Sequence, residues 1–471
     1  MRVRPGTGSV RRVPLAPTRA TRLVVVAAVV ALFASACWTS YGADWSNSRT
    51  APYESAISVR TAPALRELWR VPGTVGSTST PAVAGDSVYF GAWDGTVRAV
   101  SAADGSPRWT RDVGAIVDAS PLVFREKVYV GDAAGNLHAL DRATGAPRWT
   151  RELDPHPDTR IFSSPVGVDD LVIVGVASIE LAFVKPDYTF RGSIVALDAE
   201  TGALRWRVYT TSDTAASGAG VSVWSSAAID RSRRTLYIGT GNTYEHPAAP
   251  WSDALMAIDY RTGAVRWVRQ FTAGDVYVIF RPPPQGPDAD IGASPNLFRI
   301  GDRDVVGVGD KAGVYAVLDR DTGETVWARQ LPTGSHLGGI MTTAAYHDGR
   351  IYVSSNRWAD HVDFHDPGNV STTYALDAAT GAIVWQTDLP SATFGALTYA
   401  NGVVFQPTIT GTVYAFDAAD GSVLWSARPG ADLGGGVSVA GGKVFVPYGF
   451  WFFAAPPNPS GGLVAYAPDP A

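Results

Sequence analysis

One cysteine in 471 residues rules out any disulfide framework within the chain, and with it the small stapled folds of many secreted proteins. It equally rules out a Cys-x-x-Cys-His site for covalent haem and every cysteine-rich zinc site. Charged residues are only 18% of the chain, the formal net charge is -5, and no basic run follows the first two dozen residues, so nucleic acid is excluded as a partner. Histidine is scarce, with seven in all, and His361 and His365 would chelate a metal together only on a helix, which the Pro- and Gly-rich context opposes. The apolar run at 23–33 covers eleven residues, too few to span a bilayer comfortably.

What is abundant is glycine, with 49, proline, with 32, and tryptophan, with 15, in a chain that is 46% hydrophobic. That mixture suits a large, turn-rich all-β globule. The tryptophans are periodic. Trp69, Trp109, Trp149, Trp206, Trp267, Trp327, Trp385 and Trp425 are separated by 40, 40, 57, 61, 60, 58 and 40 residues, a unit of 40 with insertions. Most follow a turn of the form Asp-x-x-Thr-Gly, as in Asp141 to Gly145, Asp198 to Gly202 and Asp259 to Gly263. Asp opens the turn, Gly takes the positive-φ position, and the apolar runs on either side read as a hairpin. Two further short β-rich runs precede each hairpin, which predicts four-stranded antiparallel blades, A to D from the axis outwards. Trp69 has no hairpin strand before it and the run Leu463 to Tyr466 has no tryptophan after it, so the chain ends are expected to share the last blade of an eight-bladed β-propeller spanning 61–468.

Ahead of the ring, Arg2, Arg4, Arg11, Arg12, Arg19 and Arg22 precede the apolar run, and Ala34-Ser-Ala-Cys37 ends it. Residues 1–36 read as an export signal. The lone cysteine, Cys37, stands where a bacterial lipoprotein signal carries its lipidated residue, although ordinary cleavage nearby with a chance thiol is the competing account. Residues 37–60 would then be a tether and lead-in, and the protein would be exported and lipid-anchored on the outer face of the cytoplasmic membrane.

On the predicted ring, the A–B and C–D turns are short and share one face. The long segments 176–192, 240–253, 271–288, 355–371 and 448–461 all emerge on the other, which is therefore the expected functional face. There, at the ends of B strands, stand Glu180, Asn242 and Lys311 of the third, fourth and fifth blades; Trp224 and Asp290 are expected to begin the A strands of the fourth and fifth. None is explained by the repeat. Two carboxylates and an amide around a channel form an oxygen-rich site that suits Ca²⁺, and an out-of-phase tryptophan could be a floor for a planar ring system. Each residue alone has a plain structural reading, as a turn closer, a solvated lysine or a core aromatic; the grouping is what raises the set.

The repeats and the segments Thr189-Phe-Arg-Gly-Ser193, Trp224-Ser-Ser-Ala-Ala, Gly239-Thr-Gly-Asn242, Thr272-Ala-Gly-Asp275, Gly286-Pro-Asp-Ala-Asp-Ile-Gly-Ala-Ser-Pro295 and Leu337-Gly-Gly-Ile340 resemble those of the pyrroloquinoline-quinone (PQQ) dehydrogenases, in particular the polyvinyl-alcohol dehydrogenase branch, over roughly residues 44–467. The resemblance implies PQQ and Ca²⁺ as cofactors, with Glu180 and Asn242 as calcium ligands. It makes Asp290 the catalytic base and a contact of the metal, Trp224 the residue stacked on the quinone, and Lys311 the partner of its oxygens. Asp288 is the second candidate for the base. The implied activity is oxidation of an alcohol, bulky or polymeric secondary alcohols included, with electrons leaving to an external acceptor such as a cytochrome or a quinone. Met341-Thr-Thr after Ile340 and Ile291 after Asp290 depart from the branch, and the adjacent-cysteine pair of the methanol-dehydrogenase-like members is absent. The alternative reading is a non-catalytic propeller lipoprotein that binds a protein or serves envelope assembly.

Overall fold

The computed structural model describes residues 1, 37–212, 217–332, 337–359, 363–450 and 460–469. The expected signal at 2–36 and the histidines His336 and His361 lie outside these. Eight antiparallel sheets follow one another, seven of them built from consecutive strands, from Ala82–Ala84 through Pro107–Asp112 in the first blade to Thr398–Ala400 through Val423–Ala427 in the seventh. The third blade carries an extra short strand, Thr159–Arg160, beside Leu171–Ser178. The eighth joins Ser438–Ala440, Lys443–Tyr448 and Gly461–Pro468 to the N-terminal strand Leu65–Thr74, as the unmatched tryptophan and strand required. No helix among the described residues is long and apolar enough to cross a membrane.

The repeat turn explains how blades dock. In the second blade, Asp141 Oδ1 accepts the N–H groups of Ala143 and Thr144, and Gly145 takes φ +68°. The turn thereby presents a bare Cα to the tryptophan of the previous blade: a Cβ on Gly145 would lie 2.5 Å from the Trp109 ring, and Gly105, Gly202, Gly263, Gly323, Gly381 and Gly421 meet Trp69, Trp149, Trp206, Trp267, Trp327 and Trp385 in the same way. Each indole N–H then donates to a backbone carbonyl at the start of the same turn, Trp109 to Arg142 (3.0 Å) and Trp206 to Tyr260 (2.9 Å). Trp425 donates across the seam to Leu65 O (3.1 Å), which closes the ring.

Around the axis a second set of contacts links neighbours. Thr80 N–H donates to Ser120 Oγ, Ser120 to Ser164, Ser164 to Ser226, Ser226 to Ser294, and Ser294 to Thr343 Oγ1, all at 2.8–3.0 Å. Each hydroxyl sits two residues before an inner strand, so the belt satisfies buried amides that no sheet partner reaches.

Residues 38–51, expected as part of the tether and lead-in, pack into the ring and touch the inner edge of every blade. Trp38 exchanges hydrogen bonds with Val83; Val123, Ile229, Leu297, Tyr346 and Tyr399 donate to the carbonyls of Thr39, Trp45, Ser46, Ser48 and Arg49. Trp45 Nε1 reaches Gly167 O, and Arg49 Nη2 reaches Val437 O. Arg49 is fully buried beneath the rings of Trp38 and Tyr41, with its other donors on Tyr41 O, Leu397 O and Thr398 Oγ1. This strap lines the inner edges of the blades around the axis.

Gly145→Ala and Gly301→Ala separate the conformational and steric parts of the docking. Both positions have positive φ, but a Cβ on Gly301 meets nothing within 4 Å. Gly301→Ala should cost about 1–2 kcal/mol, and Gly145→Ala clearly more because Trp109 must also move. Thermal unfolding of the two variants checks this, and equal losses would mean that the Trp–Gly contact contributes no steric constraint.

Candidate active site at the channel mouth

The inner strands begin later than expected. Trp224 lies four residues before Ala228–Asp230, and Asp290 six residues before Asn296–Ile300, on extended lead-in segments facing the channel. The shared register makes the mouth a stack of layers. Four residues ahead of successive inner strands stand Asp118, Phe162, Trp224, Gly292, Met341 and Phe394. Two residues further out stand Arg160, Ser222 and Asp290 of blades three to five. The benzo edge of Trp224 lies against Gly292, where a Cβ would come within 1.7 Å of the ring. Only glycine there leaves room for the indole.

Two residues before Gly292, Asp290 gathers Asn242 and Lys311. Asn242 N–H donates to Asp290 Oδ1 (2.5 Å), while its side-chain Nδ2 donates to Thr243 O and Tyr277 O, which turns Oδ1 away with no donor among the described residues. Lys311 N–H donates to Asp290 O, and its buried Nζ lies 2.6 Å from Asp288 Oδ1 and 3.4 Å from Asp290 Oδ2. Lys311 is therefore an ion-pair partner of both aspartates, closer to Asp288, and burial notwithstanding the two carboxylates hold its ammonium above the usual range.

Negative charge is in excess here. Asp253, Asp275, Asp288 and Asp290 are all buried, against one lysine. Asp275 accepts the N–H groups of Asp288 (3.3 Å) and Ala289 (2.7 Å). Burial, then the Asp290 charge, push Asp288 up to about 8 despite Lys311. Asp253 has no hydrogen-bond partner on either oxygen among the described residues, since the neighbouring Ser252 hydroxyl donates to Ala249 O instead. Burial first, then the charges of Asp290, Asp275 and Asp288, push its carboxyl well above the carboxylate range. A buried carboxylate without donors is costly unless a proton or a cation neutralises it.

Glu180 is buried one blade away and carries its own partners. Its oxygens accept the N–H groups of Thr189 (3.3 Å) and Phe190 (3.0 Å) and lie 3.4 Å from Lys185 Nζ and from His156 Nε2. Ligand atoms of His156, Asp158 and Glu180 all fall within 4.8 Å of one another. The link to the first group is Tyr244, whose phenol meets Ser178 and Ser222 and is pushed upward by burial, with Asp290 and Glu180 adding to the shift. Asp253, Asp275, His156 and Arg160 were not singled out from the sequence. Thr272-Ala-Gly-Asp275 was a visible signal for Asp275; the others lie in ordinary repeat or loop surroundings.

This is an eight-bladed propeller with a buried, carboxylate-rich site beside a floor tryptophan. A family model described as "Glucose/ethanol/alcohol dehydrogenase, beta-propeller domain" matches residues 154–337, and one described as "Outer membrane protein assembly factor BamB" matches 55–189 and 310–469. A polyvinylalcohol dehydrogenase of a Pseudomonas species is 31% identical over 79% of this chain, and the chain spans 64% of that relative's length. The solved structure of a quinohemoprotein alcohol dehydrogenase from Pseudomonas putida shares the fold, with a TM-score of 0.77 at 20% identity over 93% of this chain and 81% of that one. BamB from Moraxella catarrhalis does so less closely, at 0.57 and 17% over 86% and 98% of the two chains. The chain belongs to the family of PQQ-repeat β-propellers.

Asp253→Asn should stabilise the metal-free protein. The raised folded-state carboxyl holds its proton more tightly than the unfolded chain does, so its stabilising contribution is present below the unfolded value near 3.8 and is lost as pH rises through the folded value. Melting temperatures in chelator should therefore differ little near pH 4 and favour the variant at pH 8; a variant less stable at pH 8 would mean that Asp253 has a donor.

Proposed function

We propose that this chain is an exported, membrane-anchored quinoprotein that oxidises an alcohol with PQQ and Ca²⁺ and passes electrons to an external cytochrome or quinone. The observation that carries the reading is the mouth of blades four and five, where Asp290, Asn242, Lys311 and Trp224 stand together in an excess of buried carboxylates. The residues fit a cation. Asn242 offers a side-chain oxygen without a donor, Asp290 a carboxylate, and the unpartnered Asp253 beside them supplies charge that a cation would neutralise. Glu180 completes the ligand set once the contacts of His156 and Lys185 give way. The residues also fit a planar cofactor, with Trp224 as floor and Gly292 as the space that lets the indole lie there.

When bound, PQQ supplies the two-electron acceptor and the cation polarises it. The chain's residues position the alcohol and move its proton. Asp290, oriented by the Asn242 amide on Oδ1, accepts the hydroxyl proton at Oδ2, where Lys311 Nζ lies 3.4 Å away and balances the two aspartates.

A bulky or polymeric secondary alcohol is the substrate class that the polyvinyl alcohol relative supports. Lipidation at Cys37 rests on its place after the apolar leader. The assembly-factor model, matched over 55–189 and 310–469, favours a second reading, a propeller lipoprotein whose loop face binds a protein. The polar set at the mouth has no use in such a scaffold.

Asp290→Asn should abolish dye-linked alcohol oxidation by the PQQ-loaded protein, by at least ~100-fold, while leaving its melting profile that of a folded propeller. Turnover retained in that variant would remove Asp290 as the base. Calcium-dependent quenching of tryptophan fluorescence by PQQ tests the cofactor separately; no saturation at micromolar PQQ would favour the scaffold.

A further inference from the structure

Residues 37–59 give the ring a direction. Val83, Val123, Ile229, Tyr346 and Tyr399, which bond residues 38–49, are each the middle residue of a three-residue inner strand, one place from the end that enters the A–B turn. Trp38 and Val83 pair antiparallel. Since Ala82–Ala84 runs towards its turn, the chain before Trp38 leaves on the turn side, opposite the long loops. Trp38 is fully buried, so Cys37, itself exposed, stands one residue from the body of the ring with no length of tether between them.

The same face carries apolar groups that the fold leaves open. Trp45 is 41% exposed although its Nε1 is held by Gly167 O, and the Arg231 guanidinium of the fourth A–B turn lies 4.6 Å from its ring centroid. Residues 54–59 lie over the A–B turns of the seventh and eighth blades, where Asn401 Nδ2 donates to Ile57 O and Gly442 N–H donates to Glu54 Oε2. At the start of that segment Tyr53 is 60% exposed, and Val59 at its end is exposed as well. A cavity of about 190 Å³ beside Trp45 is lined by Leu122, Val123, Phe124 and Val166 of the second and third blades, room for an apolar group far larger than water. An indole and a phenol, apolar in body and polar at the tip, are the side chains that settle at the level of lipid headgroups.

We propose that the face of the A–B and C–D turns lies directly on a lipid bilayer, with Trp45 and Tyr53 in the headgroup layer and the mouth turned to the aqueous side. The inference rests on the lipidation read at Cys37 and adds to it which face meets the membrane. Acyl chains on residue 37 hold that face at the surface, and the aromatic pair supplies the second contact that sets its tilt. Substrate and electron acceptor reach the site from water, which suits a soluble electron carrier over a quinone dissolved in the bilayer.

The test uses the full chain, expressed with its own leader, purified from membranes and placed in phosphatidylethanolamine–phosphatidylglycerol vesicles that carry a nitroxide on the lipid headgroup. Single cysteines are introduced on the turn face (Asp302→Cys, Tyr53→Cys) and on the loop face (Val184→Cys, Phe280→Cys) and labelled with a fluorescent maleimide, with which a lipidated Cys37 does not react. Labels at 302 and 53 should lose most of their fluorescence to the nitroxide, and labels at 184 and 280 should keep it. Melting curves establish that each variant is folded, and one folded variant on each face is enough for the comparison. Equal quenching on both faces, or stronger quenching on the loop face, overturns the inference and leaves the anchor standing. A wild-type protein recovered in the soluble fraction with a maleimide-reactive Cys37 overturns the anchor and this inference with it.

Discussion

The contact between a tryptophan and a bare glycine on the next blade is what the rest of the molecule depends on. A single four-stranded blade exposes both faces and cannot stand alone. The positive-φ glycine removes the one atom that would keep the indole away, and the indole N–H captures a carbonyl of the same turn, so direction and distance are set together. Repeated around the ring and closed by Trp425 on Leu65, this contact fixes eight equivalent radial positions.

Those positions give the mouth its chemistry. With the inner strands in one register, any residue a fixed number of places ahead of a strand falls into a layer shared by all blades. A repeat of this kind would ordinarily place similar groups around the layer. Here Arg160, Ser222 and Asp290 differ at one level, and Phe162, Trp224 and Gly292 at the next. The asymmetry of the site is thus a departure from repetition on a symmetric frame. The strap at 38–51 runs along the inner edge of this frame, satisfying inner-edge amides in most blades and burying Arg49 with no carboxylate partner among the described residues.

Electrostatics at the mouth favour a ligand more than they favour the apo fold. Four buried aspartates face one lysine, and Asp253 has no donor at all among the described residues. Such an arrangement costs stability when empty. An ion that neutralised the carboxylates would recover that cost.

Much of this was legible in the residues themselves. The tryptophan spacing, the Asp-x-x-Thr-Gly turns and the unmatched strand at each end determined eight blades and their closure, because these are local signals read over a few residues and then counted. The unusual polar residues Asn242, Asp290 and Lys311, with Trp224, were visible because they break the repeat; the first three touch through Asp290, and Trp224 lies against Gly292. Only the tertiary structure decided the rest. Lys311 pairs first with Asp288, Glu180 engages His156 and Lys185, and residues 38–51 belong to the ring. Asp253 is an ordinary residue in the chain, and nothing local marks it. Its significance is burial without a hydrogen-bond partner among the described residues, a property set by what the fold brings within reach, which no stretch of sequence contains.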